Sequence, residues 1–308
     1  MQKKGILPIL LAMTLTVSSL TGCSGSDQEA QVTSSAGQEQ QDTQKALQGH
    51  NEDVTSNLGV WGRAMGSVLI SMNEGSPYYF GGYEETEANR KAAADILNSS
   101  WNISNRKELL GQIYELITEG SRKEYRQEAA QMNRLSDKKL KKVMSQLSGS
   151  LLIHYQQIQR NWQTWGRDGL LAWDMCRVSH LVQWGLIAEY LTLDEAQALI
   201  EPAARRLQEK FQSWEQVITN WLDGYALYAV IDTEQPDNDY QKRKEVYEKL
   251  VEQQKQAGVL YDDDLFQEEI VPLTDCTYKT LFQELKKTQK KSGHKNKNGK
   301  KQSQKNDE

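Results

Sequence analysis

Between Asp168 and Ala188 the chain offers water no polar face. At about 100° of rotation per residue, Leu170, Trp173, Leu181, Trp184 and Ala188 fall on one side of a helix, and apolar residues occupy most of the remaining wheel. A helix apolar nearly all round must be covered by other elements. That requirement constrains everything else, because the covering segments must each present an apolar stripe of their own. The surrounding stretch, Asn161 to Glu195, holds four of the chain's eight tryptophans.

The flanking sequence supplies such stripes. Leu58, Trp61, Met65, Val68, Leu69 and Met72 recur at helical spacing, and Leu109, Leu110, Ile113 and Ile117 form the inward face of another segment, which opens near Ser104 and stops at Gly120. A shorter helix is predicted near Glu87 to Asn98. From Ser136 the apolar positions Leu140, Met144, Leu147, Leu151, Tyr155, Ile158, Trp162 and Trp165 never leave a three-or-four step, which predicts one long helix with Gly149 in its middle, at a cost of about 1 kcal/mol relative to Ala. Thr192-Leu193-Asp194-Glu195 is a capping box, and Ser213-Trp214-Glu215-Gln216 starts the next helix. Pro202 should kink the helix between them or divide it in two. Trp214, Ile218, Trp221, Tyr225 and Tyr228 form an aromatic stripe, and Tyr240, Tyr247, Leu250 and Val251 mark a last helix ending at Gly258. The predicted fold is all-α: one globular domain over residues 53–282, with about eight helices around the tryptophan-rich central one.

Two charges interrupt the central helix. Asp174 and Arg177 stand at an i, i+3 spacing within its apolar face, where a charge without a partner is very costly. One reading is a structural ion pair that ties the helix to its neighbours. The other is an anionic or carboxylate ligand held by Arg177 and oriented by Asp174 and His180, with Trp173, Trp184, Trp214 and Trp221 as candidate pocket walls. Cys176 reads as a small buried hydrophobe and His154 as a satisfied histidine beside a stripe. The loop from Gly75 to Tyr83 carries four aromatic rings, which either pin it to the core or stack on a sugar or peptide.

The ends of the chain have a different character. Lys3 and Lys4 precede an apolar stretch, Ile6 to Val17, too short to span a membrane as a stable anchor, and residues 1–22 read as a secretory signal. Leu20-Thr21-Gly22 before Cys23 resembles the bacterial lipobox, which implies that Cys23 carries a diacylglycerol and that its new N-terminus is acylated. At about 0.8 kcal/mol per buried methylene, two or three acyl chains make attachment effectively permanent. The expected location is the extracytoplasmic face of a bacterial cell membrane. Residues 23–52 are poor in large apolar side chains and read as a flexible tether, with His50 solvated. Residues 283–308 read as a disordered basic tail, able to touch anionic lipid headgroups or envelope polymers or simply to keep the chain soluble. The formal net charge of -5 combines this basic end with an acidic middle, so nucleic acid is not an expected partner.

Leu171-Ala172-Trp173-Asp174 with Arg177, the helix from Leu193 to Phe211, Ser213-Trp214-Glu215 and Leu222-Asp223-Gly224-Tyr225 resemble a bacterial family known as domain of unknown function 1266. Trp101-Asn102-Ile103-Ser104, entering a helix that ends at Gly120, is similar to that family's first block. The resemblance covers about residues 94–231 and implies an α-helical fold, with no activity, cofactor or catalytic residue to carry over. Where the family pattern has Arg after the glycine, this chain has Tyr225.

No paired histidines at metal spacing, phosphate loop, nucleophile elbow or dinucleotide-binding glycine pattern occurs. Only Cys23, Cys176 and Cys276 are present, so no disulfide framework or paired-cysteine zinc site is expected. Asp262-Asp263-Asp264 lacks the alternating pattern of a calcium loop and reads as an acidic turn. No metal or cofactor is therefore expected. The leading expectation is a membrane-tethered binding or interaction module; the competing one is an envelope enzyme with a site around Asp174, Arg177 and His180.

Overall fold

The computed structural model describes residues 57–78, 80–257 and 260–287. The expected signal, lipidation site and linker lie outside the described residues, as do Tyr79, Gly258 and the tail beyond 287. Among the described residues the chain is all-helical, without strands. The helices are α1 (Asn57–Met72), α2 (Glu87–Trp101), α3 (Arg106–Thr118), α4 (Arg122–Asn133), α5 (Asp137–Met144), α6 (Gly149–Trp165), α7 (Leu171–Ile187), α8 (Leu193–Lys210), α9 (Trp214–Ala229), α10 (Asp239–Ala257) and α11 (Asp263–Gln267). Residues 278–287 form a further helical stretch, here α12, in which Leu281, Phe282 and Leu285 are buried. The folded part thus extends past the boundary expected at 282.

Helix α7 is the hub. It packs against α1, α2, α3, α8 and α9, and every residue from Leu171 to Ile187 except Leu186 is buried. Its start is later than the expected Asp168, because Gly166–Asp168 form a 3-10 turn. An amide of its first turn that the helix itself cannot satisfy is met from outside: Asn220 of α9 accepts from the Ala172 N–H at 2.8 Å and donates to the Asp168 carbonyl at 3.0 Å. A second polar group on α7 secures α1. Ser179 Oγ and Gln183 Nε2 both donate to the Gly62 carbonyl, at 2.6 and 3.1 Å, and Gln183 Oε1 accepts from the Gly81 amide at 3.0 Å. That last bond, with Tyr78 and Phe80 buried, pins the aromatic loop to the core.

The long helix expected from Ser136 is two helices. Ser148 is extended and Gly149 has φ +57°, so the Ser-Gly-Ser sequence turns the chain while the apolar spacing runs on in phase across the break. Pro202 does not divide α8, which is continuous from Leu193 to Lys210. The capping box of α8 is complete: Glu195 N–H donates to Thr192 Oγ1 at 3.3 Å and Thr192 N–H to the Glu195 carboxylate at 3.0 Å. Helix α3 is capped by Asn105 rather than Ser104, whose amide and hydroxyl donate instead to Glu108.

Candidate functional site

Asp174 is wholly buried, and four N–H groups converge on it. Oδ1 accepts from the Ser121 amide at 3.1 Å and from Arg177 Nη2 at 2.5 Å. Oδ2 accepts from the Arg122 amide at 3.1 Å and from Arg122 Nη1 at 2.7 Å. The two amides are the first of α4, whose own Ser121 side chain makes no cap. Asp174 therefore supplies from 52 residues away the capping acceptor that Ser121, the N-cap residue of α4, does not, and it is favoured by the positive end of that helix as well as by two guanidinium groups. Arg122 spends its other terminal nitrogen on the Leu116 and Ile117 carbonyls at the end of α3, at 2.9 and 3.0 Å. Burial pulls its guanidinium below the ordinary arginine value, against the opposing pull of Asp174. The ion pair read from the sequence is present, but its deeper partner is Arg122.

Arg177 turns its remaining surface the other way. Its Cζ lies 4.9 Å from the ring centre of Trp173, 5.5 Å from Tyr228 and 5.6 Å from Trp101, a cation held among three aromatic rings. Trp173, Arg177, His180 and Trp184 follow one another at steps of four and three along α7, and α9 lays Trp221, Tyr225 and Tyr228 beside them. The Trp173 ring lies 6.3, 5.6 and 5.1 Å from those three rings. Gly224 permits this approach, since a Cβ there would stand 2.5 Å from the Trp173 Cβ. Helix α10 then adds Arg243, with Cζ 3.9 Å from the Tyr225 ring centre. A guanidinium from a different helix thus lies against Tyr225, the residue that stands where the family pattern has an arginine.

The stripe carries an unusual number of polar nitrogens without a protein partner. Trp173 Nε1, Trp221 Nε1, His180 Nε2, Arg177 Nε and Arg243 Nε are all buried and make no hydrogen bond among the described residues. Nearly all such atoms in folded proteins are paired, so five in one neighbourhood need a cause. Burial, with Arg243 and Arg177 acting on it, pushes His180 down to about 3, so its imidazole is neutral at physiological pH. Burial also lowers the Arg243 guanidinium.

The other expected site residues lie apart from this stripe or at its end. Trp184 is near His180, with ring centres 5.9 Å apart. Trp214 belongs elsewhere: its ring meets Trp61, Tyr261 and Phe266, and its Nε1 donates to the Asp262 carbonyl at 3.0 Å. Cys176 is buried and its thiol is pushed up by burial, as befits a small hydrophobe. His154 Nε2 meets Glu128 at 2.8 Å. Asp262 caps α11 by accepting from Asp264 N–H and Leu265 N–H, so the acidic run is a helix start. No cluster of metal-ligating side chains occurs among the described residues. A separate groove of about 210 Å³ lies among α4, α5 and α6, lined by Met132, Leu140, Ile158 and Trp162, and contains none of the expected site residues. Arg122, Asn220 and Arg243 were not singled out from sequence. Their neighbours in the chain give no sign of a partner, the turn Gly120-Ser121 being the one local mark beside Arg122.

These features define an all-helical domain whose central helix is bound by an occluded aspartate–arginine network on one side and an aromatic, cationic stripe on the other. The chain belongs to the family described as protein of unknown function (DUF1266), whose model matches residues 96–258. The match continues past the end expected near 231 and takes in Arg243. The chain is also similar to the uncharacterized protein YbeU of Escherichia coli (strain K12), at 26% identity over 170 residues, covering 53% of this chain and 67% of that one. No solved structure matches.

Proposed function

We propose that this protein is a lipid-anchored, extracytoplasmic binding module that uses the stripe between α7, α9 and α10. The observation that carries binding is the group of five partnerless buried nitrogens around Trp173, Arg177 and His180. Such groups cost roughly 1–3 kcal/mol each when left unpaired, and a ligand offsets that cost. The anchor rests on Leu20-Thr21-Gly22-Cys23 behind a basic and apolar leader, and among the described residues no helix is long and apolar enough to cross a membrane. Catalysis at Asp174 has less support, because all its hydrogen-bonding capacity is committed to Ser121, Arg122 and Arg177, and a neutral His180 has no proton to give as a cation.

Two experiments test this reading. Labelling with a palmitate analogue should mark the wild-type chain and fail in Cys23→Ala, which should also leave the membrane fraction; label retained in that variant refutes the anchor. Small-molecule fractions of envelope extract should raise the melting temperature of the full-length protein without being consumed. Consumption with product formation would make it an enzyme, and the absence of any stabilising fraction would refute the binding role.

A further inference from the structure

We infer that the ligand of this stripe is an oxyanion, a carboxylate or phosphate carried on an apolar body, held by Arg177 and Arg243 with the indole N–H groups of Trp173 and Trp221. This rests on the binding reading above and names the chemistry of its ligand.

The argument begins with sign. Of the five partnerless nitrogens, four belong to groups that can only donate: the indole nitrogens of Trp173 and Trp221 and the Nε of Arg177 and Arg243. The fifth, His180 Nε2, donates in one neutral tautomer and accepts in the other, so the sign rests on the other four. A set of buried donors calls for an acceptor, and a charged one satisfies guanidinium groups best. The charges agree. Asp174 is matched twice over, by Arg122 and Arg177. Arg243 brings another guanidinium, whose Nη1 meets the Met72 sulfur at 3.3 Å. The carboxylate acting on Arg243 is Asp239, which is more than half exposed, lies 3.7 Å from Lys242 and accepts the Tyr225 hydroxyl at 3.3 Å. Glu115, the other carboxylate acting on Arg177, is exposed, so among the described residues the stripe keeps positive charge that no buried acid beyond Asp174 balances.

The walls set the rest of the ligand. Trp173, Trp221, Tyr225 and Tyr228 present ring faces and edges, with Trp221 and Tyr225 stacked at an 18° interplanar angle. Tyr228 is 36% exposed, so the cluster reaches the surface at its edge. An apolar, flat or chain-like body suits such walls, and a free hydrated ion does not.

The test is a melting-temperature and tryptophan-fluorescence titration of full-length protein in detergent micelles with four probes that share one ring: benzoate, phenyl phosphate, neutral benzamide and cationic benzamidine. Benzoate or phenyl phosphate should bind saturably, and the stronger of the two names the acidic group. Arg243→Gln should weaken binding roughly tenfold or more, the usual loss of a charge-assisted hydrogen bond. Should that variant fold poorly, Trp221→Phe keeps an aromatic ring, removes the indole N–H and should still weaken anion binding. Benzamide binding as well as benzoate, or anion binding unchanged in folded Arg243→Gln or in Trp221→Phe, overturns the oxyanion while leaving a binding site. Failure of all four probes overturns the oxyanion proposal, while the binding reading stands or falls separately on the envelope-extract screen.

Discussion

Asp174 and Arg122 meet at 2.7 Å with side-chain exposures of 0% and 1%, joining the central helix α7 to the turn between α3 and α4. The pair is a joint between three helices. Asp174 caps α4, and Arg122 covers the last carbonyls of α3.

Removing one charge from this joint leaves the other buried without its partner. Asp174→Asn and Arg122→Gln should each destabilise the fold by about 3–5 kcal/mol, the usual cost of breaking a buried pair from one side. The double variant should cost clearly less than the sum, because each single change already breaks the shared contact. Urea unfolding of the four proteins measures both, and strict additivity would show that the two residues act independently.

Gly120 should be irreplaceable where Gly111 is not. Gly120 has φ +56°, and a Cβ on it would stand 2.3 Å from Asp174 Oδ2, so Gly120→Ala both strains the backbone and displaces the carboxylate. Gly111 lies inside α3 with nothing within 4 Å of an added Cβ. Gly111→Ala should stabilise by about 0.5–1 kcal/mol, and Gly120→Ala should destabilise by more than about 1 kcal/mol. Thermal unfolding of the two variants should therefore move in opposite directions.

His180 makes stability depend on pH. Its ordinary value of 6.5 applies in the unfolded chain, and in the folded protein it lies at about 3. The unfolded state consequently takes up the proton first. The histidine's contribution is complete above pH 6.5 and is lost as pH falls toward 3, with a limiting slope of about 1.4 kcal/mol per pH unit. Carboxylates titrate over part of the same range, so the measurement is the difference between wild type and His180→Gln. That difference should change between pH 6.5 and 4.5; a flat difference would show that His180 does not titrate on unfolding.

Features set by local spacing are legible in the sequence. The capping box at Thr192 and Glu195, the helical stripes, the burial of the Asp168–Ala188 segment and the satisfied His154 all depend on spacings within a few residues. The sequence is ambiguous where one local signal has two geometric outcomes. The apolar phase from Leu140 to Trp165 is the same for one helix or for two helices joined by a short turn, and only the backbone at Ser148 and Gly149 decides between them. Trp214 shares the α9 stripe with Trp221, yet the two rings serve different clusters because α11 packs against only one of them.

By itself the sequence determined that this chain is helical, that the segment after Gly166 lies at its centre, and that Asp174 and Arg177 require partners there. Those conclusions follow from periodicity and from the cost of burying charge, which depend on residue identity alone. Tertiary structure decided who the partners are. Arg122 reaches Asp174, Asn220 caps α7 and Arg243 reaches Tyr225 across 52, 48 and 18 residues, and such meetings are set by how helices cross. The same crossing gives the two charges read as a pair different second partners: they meet each other at 2.5 Å, Asp174 is sealed into the joint by Arg122, and the longer Arg177 side chain keeps one side toward the aromatic stripe.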